Sequence, residues 1–320
     1  MKYKPPKFKR LEDMAAIDVG RLTEEQARTI LEKIRWPKGL TCPSCGGKDV
    51  TRLQPISEKV RDGVIQCNGC RGQFTVTVGT VMEGSHITLR QWIQAFYAMC
   101  SSKKGISALQ LQRNLGLGSY HSAWHLAHRI RLAMKDSTNG LLHGDVEVDE
   151  TYIGGKPSRT DKDGNPIKNK RGRGTKKAPV VALIERDGQA RAEVISHVNS
   201  ENLKTVLQEN VSPDATIFTD EAKDYLPIGK DFKGHESVNH SKEEFARGRV
   251  HVNTDESFFS LLKRGVHGVF HHVSKKHLPQ YCDEFSFRWN NRKSSDGKRA
   301  VTAIRGIVGK SLPYSTLPSA

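Results

Sequence analysis

The spacing of apolar residues predicts mostly helix in the first part of the chain and a mixture of strand and helix in the second. Residues 23–34 read as a short helix, with Thr23 as cap and Gln26 reaching back to close a capping box. The run Trp36-Pro37-Lys38-Gly39 ends it. From Thr88, a good cap, Leu89, Trp92, Ile93, Phe96 and Cys100 recur at helical spacing. Two more helices are expected at about 107–115 and 119–135, turned by Gly116-Leu117-Gly118. The polar stretch 137–140 reads as a domain boundary.

Beyond it the period changes. Asp145-Val146-Glu147-Val148-Asp149 alternates with period two, and residues 180–185 and 190–198 read as a hairpin joined by Arg186-Asp187-Gly188-Gln189. A helix near 201–209, a strand at 215–219 ending at Asp220, a helix from about Asn253 and another at 278–291 follow. Strand, hairpin, helix, strand, helix is the order of an RNase H-like α/β domain, though order by itself fits other mixed folds. Residues 156–177 carry nine Lys or Arg against two Asp with no apolar period, and read as a mobile basic loop.

Charge adds a partner. Lys and Arg outnumber Asp and Glu by 51 to 35 in 320 residues, a formal +16, which attracts phosphate backbones without regard to sequence. No segment reaches the ~18 apolar residues of a membrane span, and the basic start lacks the apolar middle of a signal peptide, so a soluble, cytoplasmic protein with no membrane partner is expected, associated with the nucleoid if its partner is DNA. In that reducing setting the six cysteines are not read as disulfides. Cys100 and Cys282 fall at apolar helical positions and read as core.

The other four form two Cys-x-x-Cys turns, Cys42/Cys45 and Cys67/Cys70, with 21 residues between them. Each turn offers Zn²⁺ two thiolates, and two turns complete a tetrahedron, so the pattern predicts a zinc ribbon holding one structural ion. The two helices around Gly116-Leu117-Gly118 have the turn length of a helix-turn-helix. Ala123, Ala127, Ile130 and Met134 share one face of the second. His121, His125, His128, Arg129 and Arg131 lie elsewhere around it, available to DNA, although a plain helical hairpin would carry the same stripe.

Three acids stand at telling positions: Asp149 closing the first strand, Asp220 closing a later one, and Glu256 opening a helix. Carboxylates so placed can converge on a crevice outside a sheet, where their repulsion calls for hard cations, Mg²⁺ or Mn²⁺, and two such ions suit displacement at phosphorus. There are 35 residues between Asp220 and Glu256, and Lys263 follows Glu256 by almost two turns on the same helical face, placed to hold a DNA phosphate. Asp145, Glu147, Glu150, Glu221 and Asp255 are rival carboxylates nearby. His271 and His272 read as phosphate-binding or structural rather than metal-binding.

From about residue 20 onward the chain resembles bacterial insertion-sequence transposases that join an N-terminal zinc ribbon to a DDE domain. The resemblance rests on the four cysteines, on residues 105–120, on Val146-Glu-Val-Asp-Glu-Thr-Tyr-Ile-Gly-Gly155, on Thr219-Asp220-Glu221, and on residues 253–265, 270–278 and 285–292. Asp255 departs from it, standing where such proteins more often have an apolar residue. The resemblance implies an RNase H-like catalytic domain, binding to terminal inverted repeats of double-stranded DNA, strand transfer by a freed 3′-hydroxyl, and a homo-oligomer working on element ends and target. The rival expectation is a non-enzymatic DNA-binding regulator descended from such a protein. The expected layout is an N-terminal helix region over 1–40, the ribbon over 41–85, a helix-turn-helix segment over 86–138, the catalytic domain over 139–295 and a tail over 296–320. Expected DNA contacts are His121, His125, Arg129, Lys170, Arg171, Arg173, Lys275 and Lys276.

Overall fold

The computed structural model describes residues 9–54, 62–136, 140–155, 160, 163–165, 175–220, 223–238 and 251–316. They fall into two compact units: residues up to 135 together with those from 293 on, and residues 136–292.

In the first unit, α1 (Ala16–Gly20) precedes α2 (Glu24–Arg35), whose start is the anticipated box: the Gln26 N–H donates to Thr23 Oγ1 at 3.2 Å and the Thr23 N–H to Gln26 Oε1 at 3.0 Å. A small antiparallel sheet follows, β1 (Val50–Arg52), β2 (Ile65–Cys67) and β3 (Gln73–Phe74) in that order. Its strands have two or three residues each, and Ile65, Phe74 and the buried pair Cys42 and Cys67 make a core of their own with Trp36 packed against it. Then come α3 (Leu89–Ser101), α4 (Ala108–Leu115) and α5 (Tyr120–Met134), capped by Thr88, Ser107 and Ser119. Gly116 ends α4 at φ +63°, a left-handed conformation that glycine adopts without a Cβ clash.

Residues 296–320, expected as a tail, instead open with helix α9 (Asp296–Arg305), whose Ala300, Val301, Ala303 and Ile304 are buried against α3 and the N-terminal segment. Two glycines permit the contact: a Cβ on Gly297 would strike the Leu11 carbonyl, and one on Gly306 the Ala133 carbonyl.

The second unit is a five-stranded sheet with helices on both faces. Its strands are β4 (Asp145–Ile153), β5 (Ala178–Glu185), β6 (Ala190–Val194), β7 (Thr216–Thr219) and β8 (Gly234–Ser237), in the order β6-β5-β4-β7-β8. β4, β5 and β6 form an antiparallel meander, and β7 and β8 add parallel to β4. That is an RNase H-like sheet. β5 is apolar without alternation because both its faces are covered. Val181 and Leu183 pack with α6 (Ser200–Asn210), while Val180, Ala182 and Ile184 pack with α7 (Asn253–Gly265) and α8 (Leu278–Asn290). Cys100 and Cys282 are buried in their helices, as their positions implied.

Candidate active site

The four ribbon cysteines come together. Their sulfurs all lie within 4.8 Å of one another, with Cys42–Cys70 at 3.7 Å and Cys45–Cys67 at 3.6 Å. A tetrahedron with Zn–S bonds of about 2.3 Å has edges of about 3.8 Å, so the spacing fits Zn²⁺. The knuckles match each other: the Cys42 N–H donates to the Gly47 carbonyl and the Cys67 N–H to the Gly72 carbonyl, both at 2.9 Å. Gly46 at φ +74° and Arg71 at φ +60° make the corresponding left-handed turns. The Cys45 N–H holds the Cys42 thiol down, to about 6. Cys45, despite the Gly47 N–H beside it, is pushed up to about 12 by the other three sulfurs. Four thiolates this close require a cation.

On the sheet, β4 sends alternate side chains to opposite faces, and Asp149 points to the α7 side with Glu147 and Ile153. It does not close the strand, which runs on to Ile153, so it stands beside the β4–β7 junction rather than at a strand tip. Pairing of Glu147 with Phe218, carried two residues further, sets Asp220 alongside Asp149. Burial pushes the Asp149 carboxyl up, to about 7. The Glu150 N–H, 2.7 Å from Asp149 Oδ1, opposes that rise, and the charges of Glu150, Asp220 and Glu256 add to it. Asp149, Asp220 and Glu256, distant in sequence, are thus electrostatic neighbours, and their hard oxygen donors suit a divalent cation.

Helix α7 divides its acids. Glu256, Ser260 and Lys263 lie on its exposed side, whereas Asp255 heads the buried stripe of Phe258, Phe259 and Leu262. Asp255 is fully buried with neither oxygen hydrogen-bonded among the described residues, and burial, then Asp149 and Glu147, raise its carboxyl well above the usual range. Lys263 Nζ sits 5.9 Å from the Phe259 ring centre. Glu150, next after Asp149 on β4, points to the opposite, α6 side of the sheet and accepts the hydroxyl of the buried Tyr225 at 2.8 Å. Tyr225 and Arg186 carry no local sign of a role, since only the fold brings Tyr225 to Glu150 and Arg186 to Glu147.

The expected DNA contacts divide. His121 is exposed near the start of α5, and Lys275 and Lys276 are exposed just before α8. Arg129 is not available as expected: it is buried, donates to the Glu83 carbonyl and lies over the Trp92 ring, 5.5 Å from its centre. His125 is half-buried, 3.1 Å from the Leu312 carbonyl and edge-on to Tyr314. His128 and Arg131 are buried too. These four lost their surface because α5 is covered on more sides than its small-residue stripe indicated. Lys170, Arg171 and Arg173, most of the basic loop, and Glu221 lie outside the described residues. No helix among the described residues is long and apolar enough to cross a membrane.

Residues 141–290 match the ISXO2-like transposase domain, and residues 22–73 match the transposase zinc-ribbon domain. A protein in transposable element ISH50 of Halobacterium salinarum is 31% identical over 292 residues, spanning 88% of this chain and 96% of that one. A transposase-like protein of Haemophilus influenzae is 29% identical over 119 residues, 37% of this chain and 93% of that one. Among solved structures, the Mos1 transposase paired-end complex with left transposon end overlaps 67% of this chain and 74% of that one, at 14% identity and a TM-score of 0.27. That likeness is too loose to bear on the fold, which rests on strand order and the family match.

Proposed function

The chain belongs to the ISXO2-like transposases, and on that premise we propose that it binds the terminal inverted repeats of its element and cuts and joins DNA strands at Asp149, Asp220 and Glu256. The observation that carries this reading is that Asp149 on β4 lies within electrostatic reach of Asp220, directly after β7, and of Glu256, in the first turn of α7, on the α7 face of an RNase H-like sheet. Those carboxylates would hold two Mg²⁺ or Mn²⁺ ions, which supply activation of the attacking oxygen and charge stabilisation at phosphorus. Asp149 stands within β4 and Asp220 directly after β7, while Glu256 belongs to the first turn of a helix and could adjust by rotation of its own side chain. Lys263, exposed on Glu256's side of α7, would hold the phosphate being attacked. In the first unit, α4, the Gly116 turn and the exposed start of α5 at Tyr120, His121 and Ser122 have the form of a helix-turn-helix that reads the element's ends. The four cysteines would hold one structural Zn²⁺, and two DNA ends call for a homo-oligomer.

Asp149→Ala, Asp220→Ala and Glu256→Gln should each lower strand transfer by more than about a hundredfold, beyond what loss of a supporting group costs, and leave end binding intact. Activity should need Mg²⁺ or Mn²⁺, with Ca²⁺ permitting binding but little reaction. Single-turnover transfer of labelled terminal DNA reads both. Full activity in Glu256→Gln with none in Asp255→Asn would move the third ligand to Asp255. End binding with no metal-dependent chemistry in the wild type would leave a regulator.

A further inference from the structure

Arg186 lies in the turn between β5 and β6, more than thirty residues from each acid of the site, yet its guanidinium meets β4, β7 and the segment that leads into α7. On β4, its Nε donates to Glu147 Oε1 at 2.8 Å and its Nη1 lies 3.5 Å from Asp145 Oδ2. Its Nη2 donates to the His251 carbonyl at 3.0 Å, just before α7 begins. On β7 its carbon lies 4.1 Å from the centre of the Phe218 ring, two residues before Asp220. Glu147 completes the tie. It is fully buried, and besides Arg186 it accepts the Thr254 N–H and Thr254 hydroxyl, each at 2.9 Å, in the first turn of α7. His251 Nδ1 stands 3.3 Å away.

We propose that Arg186 and Glu147 are a positioning pair: together they lock β4, β7 and the start of α7 into the spacing at which Asp149, Asp220 and Glu256 can share metal ions, without touching metal or DNA themselves. The inference rests on the reading of those three acids as the metal site. Like charges facing each other across three elements push those elements apart, and most strongly α7, which no backbone ladder joins to the sheet. A rigid planar fork opposes that push in a way a single flexible ammonium cannot. A buried ion pair is a weak source of net stability, and its better-attested use is to select one arrangement among several. Here the arrangement selected is the one that brings Glu256 to Asp149.

The test uses the full chain with Glu147→Gln, Arg186→Lys and Thr254→Val, beside Asp149→Asn and Glu256→Gln. Mn²⁺ binding is titrated by calorimetry without DNA, folding is followed by circular dichroism, and strand transfer is measured against Mn²⁺ concentration. Thr254→Val changes little volume and keeps the backbone N–H bond, so it should stay folded even where the other two lose stability. We expect about tenfold to a hundredfold weaker Mn²⁺ binding in the positioning variants, in the range of outer-shell losses. The Mn²⁺ requirement should rise in parallel, with affinity for terminal DNA unchanged and the Thr254→Val rate recovering at saturating Mn²⁺. Recovery separates it from Glu256→Gln, which should stay inactive. Unchanged Mn²⁺ binding in folded Thr254→Val and Glu147→Gln, with binding lost in Asp149→Asn and Glu256→Gln, would overturn the positioning role alone. Mn²⁺ binding retained in Asp149→Asn and Glu256→Gln would instead overturn the metal site beneath it.

Discussion

Two residues on α5 show how neighbours decide what a basic side chain does. Arg129 and His125 have the chemistry to meet a phosphate, but Arg129 is spent on the Glu83 carbonyl and the Trp92 ring, and His125 on the Leu312 carbonyl and Tyr314. Burial, followed by the nearby charge of Arg129, holds the His125 ring below its ordinary pKa of 6.5, although the Leu312 and Pro313 carbonyls oppose the shift. The unfolded chain therefore binds this proton more readily than the folded one. Stability from this site is full above about pH 6.5 and is lost as pH falls below it. Thermal melts between pH 7.5 and 5.5 should show a declining midpoint in the wild type and a flatter one in His125→Gln. An equal decline in both would exclude His125 as the source. Asp255 and Glu256 make the same point in acid form, since adjacent carboxyls on one helix meet a dry core and open solvent.

At the scale of elements, the ribbon is the part most dependent on a ligand. Its strands have two or three residues each, and its core is four buried residues, two of them cysteines. Such a sheet buries too little apolar surface to offset its backbone entropy, so the energy of metal ligation becomes energy of folding. Purified protein should carry one zinc per chain, and Cys67→Ser or chelation should release it. Hydrogen exchange should then rise across residues 42–54 and 62–74 while α7 and α8 remain protected. Full protection of the ribbon after zinc removal would show that α2 and the Trp36–Phe74 contact, at 5.9 Å, suffice. The larger sheet has the opposite character: β5 is buried on both faces under α6, α7 and α8, in cores built of apolar side chains.

For the whole molecule, chain order and compact units do not coincide. The chain leaves the first unit after residue 135 and returns to it from 293, so α9 completes a core begun by α3. A fragment ending at residue 135 therefore lacks the buried Ala300, Val301, Ala303 and Ile304 and exposes the surface they cover. Burial of three or four such side chains is worth several kcal/mol at ~25 cal/mol per Å², a large share of a small domain's stability. That fragment should aggregate or melt without a cooperative transition, whereas residues 136–292 should unfold cooperatively in differential scanning calorimetry. A cooperative transition in the first and none in the second would reverse the assignment.

Local physics was legible in the sequence. Caps at Thr23, Thr88, Ser107 and Ser119 mark helix starts because side-chain oxygens satisfy the first N–H groups, and that chemistry lies within four residues. The cysteine turns, the β5–β6 hairpin and the exposed side of α7 were readable for the same reason. Strand β8 was not. Gly234-His-Glu-Ser237 has no apolar alternation and exists because β7 offers it a parallel edge. Nor was α9's destination, since a ten-residue amphipathic helix carries no mark of which core it will complete. Only the tertiary structure could bury Arg129, turn Asp255 inward or bring Arg186 to Glu147, Phe218 and His251. Period and charge fix which residues share a face, but the partner of that face comes from elements tens of residues away, through contacts that close only when the sheet does.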